Sequence, residues 1–130
     1  MYLVTKRMEI AYAHKLNLPY ESKCQNLHGH NGIVTVYCKA RDLDPETGMV
    51  IDFKRIKELI HDKLDHGYIN DIIPEINPTA ENMAKWIVDT INDTIFDDYR
   101  FSTCICYRAD FQESEGNIAT YIDDREDPMI

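Results

Sequence analysis

Apolar and polar positions alternate at period two near the start of the chain, where Met8, Ile10, Tyr12 and His14 fall on one side of an extended segment. The spacing predicts a strand over residues 2–15, with His14 continuing an inward-facing row. Residues 16–26 hold Asn17, Pro19, Glu21 and Ser22 and read as a loop. A second strand runs through His30 to Ala40, rich in β-branched residues from Ile33 to Val36 and long enough to pair antiparallel with the first. A turn follows over residues 42–48. Asp52 then stands as an N-cap before Phe53, Ile56, Leu59, Ile60 and Leu64, whose spacing predicts an amphipathic helix over about 52–64, stopped by Gly67. A second helix starts near Thr79, after Pro78, with Glu81 in its first turn and Met83, Trp86, Ile87, Thr90, Ile91 and Ile95 as its buried stripe. Residues 102–108 and 117–122 read as two further strands, with Asp110, Glu113, Glu115 and Gly116 between them. The stretch 107–112 departs from plain alternation, and a bulge there would decide which acid faces a pocket. The acidic stretch 123–128 reads as solvated. The order ββααββ predicts an α+β domain over residues 1–130: an antiparallel four-stranded sheet covered on one face by two helices.

Composition narrows the function classes. Twenty-three acidic residues against 14 basic ones give a net charge of −9, and no dense basic run exists, so nucleic acid is not the expected partner. No apolar run approaches the ~20 residues of a membrane span, and the first residues lack a signal peptide's apolar core, so a soluble, cytoplasmic protein with no membrane partner is expected. Cys24, Cys38, Cys104 and Cys106 form no CxxC pair and are expected to be thiols. Cys104 and Cys106 sit in a strand-like run and read as small core residues, whereas Cys24 lies in a polar loop beside two histidines.

Those histidines, His28 and His30, flank Gly29, so in a strand both imidazoles leave the same face. A His-x-His pair alone says little. With His14 on its inward row, a three-histidine site becomes the better account, because catalytic zinc commonly takes three protein ligands and leaves one position open. Asp65 and His66 follow the first helix directly. They read either as a helix-terminal carboxylate and cation or as an acid/base pair poised near neutral pH.

Taken in order, Ala13-His14, Cys24 with His28-Gly29-His30-Asn31, Gly48 with Asp52-Phe53, Leu64-Asp65-His66, Pro78-Thr79-Ala80-Glu81-Asn82, and Glu113 with Ala119 and Tyr121 resemble the family of the 6-pyruvoyl-tetrahydropterin and 6-carboxytetrahydropterin synthases. The resemblance implies the tunnelling fold, in which subunits join into a barrel, here expected as a homo-hexamer with active sites at subunit interfaces. It implies zinc on His14, His28 and His30, Cys24 as the catalytic thiol, and Asp65 with His66 as the remaining proton-transfer groups. It further implies Glu113 as the carboxylate that holds the pterin, with Glu115 as the competing choice two residues on, and Thr79 and Glu81 at the pterin's border. Lys15, Lys23, Lys54 and Arg55 are candidate cations for a triphosphate. The sequence departs from the family at Gly32, where a bulky residue is usual.

Three residues separate Cys24 from His28, a short spacing that resembles the 6-carboxy enzymes of the queuosine pathway. The implied reaction turns 7,8-dihydroneopterin triphosphate into 6-carboxytetrahydropterin, acetaldehyde and triphosphate. The alternatives are the 6-pyruvoyl reaction, with triphosphate elimination only, and a zinc- and pterin-binding subunit without catalysis.

Overall fold

Two long strands carry the architecture. In the computed structural model, which describes residues 1–98 and 103–124, β1 (Tyr2–His14) and β2 (His28–Ala40) pair antiparallel from Tyr2 opposite Ala40 to His14 opposite His28. The period-two pattern sets which face is buried: Met8, Ile10, Tyr12 and His14 pack inward beside Val34, Val36 and Cys38. A five-stranded sheet forms, where four strands were expected. The addition is β3 (Gly67–Tyr68), parallel to Tyr12 and Ala13 of β1. Two residues are too few for a hydrophobic period to register.

On the other side of the sheet β4 (Ile105–Ser114) pairs with β2, and β5 (Asn117–Ile122) closes a hairpin with β4 through a two-residue turn at Glu115 and Gly116. The order across the sheet is therefore β3-β1-β2-β4-β5. Gly116 has φ +80°, a region that suits glycine. Cys38, Cys104 and Cys106 join the core as thiols.

The helices lie on the face that Met8 and Ile10 share. Helix α1 covers residues 53–64, starting as Phe53–Ile56, widening to a π turn at Lys57–His61 and ending as Asp62–Leu64. As expected, Asp52 caps it, its carboxylate accepting from the Lys54 N–H, and Ile56, Ile60 and Leu64 are buried. The helix ends at Leu64, before Gly67, because Asp65 is extended and His66 adopts φ +59°. Gly67 serves packing instead: a Cβ there would lie 2.5 Å from Ile72 Cδ1 and 3.0 Å from the Leu64 carbonyl oxygen. A short helix, α2 (Ile69–Ile72), and then α3 (Ala80–Asp98) follow. Thr79 caps α3 by accepting from the Asn82 N–H, and the buried stripe runs through Met83, Ile87, Ile91 and Ile95. Trp86 is only partly buried, with the Lys63 ammonium over its ring. Among the described residues no helix is long and apolar enough to cross a membrane.

The irregularity expected near residues 107–112 brackets that stretch as two bulges. One makes Tyr107 an extra residue, since the β2–β4 ladder steps from Tyr37 opposite Arg108 to Cys38 opposite Cys106. The other makes Glu113 extra, between Gln112 opposite Ile118 and Ser114 opposite Asn117. The buried Asn92 of α3 stitches the first, its Oδ1 accepting from the Cys106 N–H and its Nδ2 donating to the Cys106 carbonyl, both at 2.8 Å. Between the bulges Asp110 points to the helix-free face. It accepts there from Arg108, Tyr37 and Thr120. Partial burial pushes the Asp110 carboxyl up, but these donors outweigh it and hold it below the usual carboxylate range. The strand start expected at Ser102 and the end of the acidic tail lie outside the described residues.

Candidate metal centre

The last rung of the β1–β2 ladder pairs His14 with His28, and His30 follows two residues along on the same face. The three imidazoles therefore meet, with ring centroids 4.6, 5.1 and 4.9 Å apart. Glu113 arrives from β4, one residue past the final β2–β4 rung of Ile33 with Gln112. One ligand atom from each of these four residues lies within 4.8 Å of all the others.

Hydrogen bonding orients the rings. His14 Nδ1 lies 2.9 Å from the Pro78 carbonyl oxygen and His28 Nδ1 lies 2.7 Å from that of Asn26. A carbonyl can only accept, so these contacts assign the proton to Nδ1 and leave the lone pair on Nε2 in the neutral ring. Glu113 Oε1 is 2.8 Å from His30 Nε2 and 3.5 Å from His14 Nε2. Neither approach has hydrogen-bond geometry, and both Nε2 atoms are buried without a hydrogen-bonding partner. Burial is also the leading reason that the His14 pKa lies below the ordinary imidazole value, opposed by the Pro78 carbonyl and by Glu113. The Nε2 atoms of His14 and His30, buried without partners beside a third imidazole and a carboxylate, fit a divalent metal ion. Nitrogen and oxygen donors of this kind suit a borderline ion such as zinc.

Neighbouring residues hold the loop that follows His14. The Asn70 side chain accepts from the Lys15 N–H and donates to the Lys15 carbonyl, and Asn77 does the same for Asn17. The Leu16 N–H donates to the Cys24 carbonyl at 2.7 Å, closing the loop on itself. Behind the imidazoles stands the buried Tyr12, its ring 5.2 Å from that of His14 and 5.5 Å from that of His30. A Cβ at Gly32 would lie 3.0 Å from Tyr12 Cε1 and 3.1 Å from the Gln112 carbonyl oxygen. The tyrosine ring thus occupies the space that a bulky residue at position 32 would take.

The other residues singled out in the sequence lie around this cluster. Cys24 is half-buried in the single 3-10 turn Lys23–Gln25, which Ser22 caps, and its sulfur is not among the converging ligand atoms. Thr79 serves as the cap of α3, and Glu81 is exposed in the first turn of that helix. A groove of about 430 Å³ lies between Ala80 and Glu81 on one side and Glu113, Gly116, Asn117 and Thr120 on the other. Glu115 is exposed in the β4–β5 turn and belongs to neither groove nor cluster, whereas Glu113 belongs to both. Of the candidate cations, Arg55 already pairs with Asp98 and Glu58, while Lys15 borders a pocket with Gln25 and Asn70.

Asp65 and His66 sit beyond the outer side of β1. Asp65 Oδ1 accepts from the Ala11 N–H at 2.8 Å, and the His66 N–H donates to the Ala11 carbonyl at 2.6 Å. The bond from Ala11 is the main reason that Asp65 lies below the usual carboxylate range. Asp65 Oδ2 faces two imidazoles, 3.4 Å from His66 Nε2 and 3.6 Å from His61 Nε2. Adjacent residues within a helix would not meet so closely; the left-handed backbone at His66 makes it possible. Among the described residues no hydrogen bond or ion pair joins this pair to the three-histidine cluster, and the His66 side chain is 84% exposed. The Pro78 carbonyl carries no signal in the sequence because it lies 64 residues from His14, and no pattern there marks His61 or the Asn26 carbonyl as partners although both are near in order.

Comparison with known proteins agrees over almost the whole length. The family profile described as 6-pyruvoyl tetrahydropterin synthase matches residues 3–124. The 6-carboxy-5,6,7,8-tetrahydropterin synthase of Synechocystis sp. is 37% identical over 94 residues, covering 67% of this chain and 72% of that protein. The human 6-pyruvoyl tetrahydrobiopterin synthase is 29% identical over 136 residues, covering 91% of this chain and 89% of that one. The structure of the Caenorhabditis elegans 6-pyruvoyl tetrahydropterin synthase superposes with a TM-score of 0.68 at 24% identity, over 95% of this chain and 98% of that protein, a likeness of fold.

Proposed function

The chain belongs to the 6-pyruvoyl tetrahydropterin synthase family, and on that footing we propose that it is a zinc-dependent 6-carboxy-5,6,7,8-tetrahydropterin synthase, built as one domain over residues 1–130. Its substrate is 7,8-dihydroneopterin triphosphate, and its products are 6-carboxytetrahydropterin, acetaldehyde and triphosphate. The observation that carries this reading is the convergence of His14, His28 and His30 with two buried Nε2 atoms lacking partners. Zinc bound there supplies Lewis-acid stabilisation of the charge that develops when a C–H bond in the substrate's side arm breaks.

The protein's own residues do the rest. Cys24, tied through its carbonyl to the loop after His14, takes a proton as the thiolate. Glu113 holds the pyrimidine edge of the pterin through two parallel hydrogen bonds, with Glu81 lining the groove and Thr79, next to Ala80 in the chain, at the pterin's border. Asp65 and His66 move the second proton. Their position outside the cluster, with His66 exposed, supports their serving the site of a neighbouring copy. A homo-hexameric barrel is consistent with that. Among the described residues the outer side of β1 is paired only from Ala11 to Ala13, β5 is a sheet edge, and Leu3, Ile118 and Ile122 are exposed.

The Synechocystis relative and the short spacing between Cys24 and His28 favour the 6-carboxy product. The fuller coverage by the human 6-pyruvoyl enzyme keeps a second reading in view, triphosphate elimination without carbon–carbon cleavage. Incubating the zinc-loaded protein with 7,8-dihydroneopterin triphosphate separates them. Acetaldehyde with a carboxylated pterin supports the first reading, the pyruvoyl product alone supports the second, and an unchanged substrate would overturn both.

A further inference from the structure

We propose that Glu113 is a carboxylate with two working positions, closing the fourth side of the metal centre while no pterin is bound and turning into the adjoining groove when one is. The proposal rests on the reading of the three histidines as a metal site and adds a residue to it.

The first position is the one described above, with Oε1 at 2.8 Å from His30 Nε2 and 3.5 Å from His14 Nε2. All four donor atoms lie within 4.8 Å of one another. An ion seated among them would be bound on four sides. Four protein ligands make a closed site of the structural kind, in which no position is left for a substrate. Catalysis at this centre therefore requires one ligand to leave.

Glu113 is the ligand able to do so. Each histidine has a reason to stay: His14 and His28 are fixed through Nδ1 to carbonyl oxygens, and His30 is held in the β1–β2 ladder. Glu113 is instead the extra residue of the second bulge, without a rung of its own to β5. Its side chain accepts no hydrogen bond from a fixed donor among the described residues, and it also lines the groove beside Glu81 and Asn117.

The pterin requires the second position. The pyrimidine edge of a pterin and the substituent at C6 lie at opposite ends of the fused ring. With the C6 substituent at the imidazoles, the pyrimidine edge lies away from them, so a carboxylate still at His30 cannot hold it. Turned into the groove, Glu113 can. Pterin binding thus opens the metal centre by removing a ligand from it, and by reciprocity the bound metal weakens pterin binding through the same exchange.

Cobalt(II) replaces zinc as the probe, because its visible absorption reports the number and geometry of its ligands. Wild type, Glu113→Gln, Glu113→Ala and the turn variant Glu115→Gln are titrated with cobalt and then with pterin, the unsubstituted bicycle, as the second ligand. The expected result is one cobalt per protomer throughout, with affinity about tenfold or more lower in both Glu113 variants and unchanged in Glu115→Gln. Pterin is expected to shift the wild-type spectrum toward that of Glu113→Ala. Equal cobalt affinity and equal spectra in wild type and Glu113→Ala would overturn the proposal. Failure of the wild type to bind cobalt would overturn the metal reading itself, a distinct outcome.

Discussion

The exchange of volume between Tyr12 and Gly32 makes a prediction that can be worked through in energy. Replacing Gly32 with valine puts new carbon where Tyr12 Cε1 would stand 3.0 Å from the Cβ and the Gln112 carbonyl oxygen 3.1 Å from it. Overpacking of this kind costs about 1–3 kcal/mol. Replacing Tyr12 with alanine removes a ring that is 4% exposed and packs on Phe111 as well as on the two imidazoles. That loss costs about 3–5 kcal/mol, toward the lower end because the buried Tyr12 hydroxyl has no partner to lose. Independent effects would sum to roughly 4–8 kcal/mol in the double variant. The structure makes them dependent, since the valine enters the volume the ring vacates. The double variant should therefore be more stable than that sum by about 1–3 kcal/mol. Urea unfolding of the metal-free proteins at one fixed concentration measures this cycle, the fixed concentration keeping any association constant. Gly32→Val alone should also weaken metal binding by pressing the ring against His14 and His30. Additivity within about 0.5 kcal/mol would show that the two residues do not share space, and would refute the packing account.

Three further outcomes are expected. Asn92→Leu leaves the Cys106 N–H and carbonyl buried and unpaired at the first bulge, and should cost about 2–5 kcal/mol in urea unfolding. The Asp65 and Asp110 carboxyls are depressed in the folded state, so their stabilisation is present above the ordinary carboxylate pKa of ~4 and is lost as pH falls through their folded values. The urea midpoint should accordingly drop on acidification below about pH 4, and less steeply in Asp110→Asn. Cys24→Ala should retain one zinc per protomer while losing turnover of the triphosphate substrate, as a sulfur outside the metal cluster but needed as base requires.

Much of this architecture was legible because its cause is local. Alternation at Met8, Ile10, Tyr12 and His14 fixed the face of β1, and Asp52 and Thr79 marked helix starts through side-chain oxygens that cap backbone N–H groups. The three histidines were visible for the same reason, as period-two positions on strands that pair end to end. What stayed hidden depends on contacts distant along the sequence or on a backbone conformation that no residue pattern marks. The strand at Gly67 and Tyr68 exists only because β1 offers an edge to it, and the approach of Asp65 to His66 depends on a left-handed backbone at a histidine. Glu113 was expected, on the family resemblance, as the carboxylate that holds the pterin, with Glu115 as the competing choice. The bulge that turns Glu113 toward His30 is set by how β4 registers on both neighbours, which single-strand periodicity does not encode.

The most direct test of the account is the zinc content of wild type and His14→Ala after exposure to zinc and extensive dialysis, read by elemental analysis. One tightly held zinc per wild-type protomer is expected, and its loss in the variant, because His14 supplies one of three converging imidazoles. A wild type that retains no zinc, or a His14→Ala protein that holds it as tightly, would contradict the claim that these imidazoles form one metal centre.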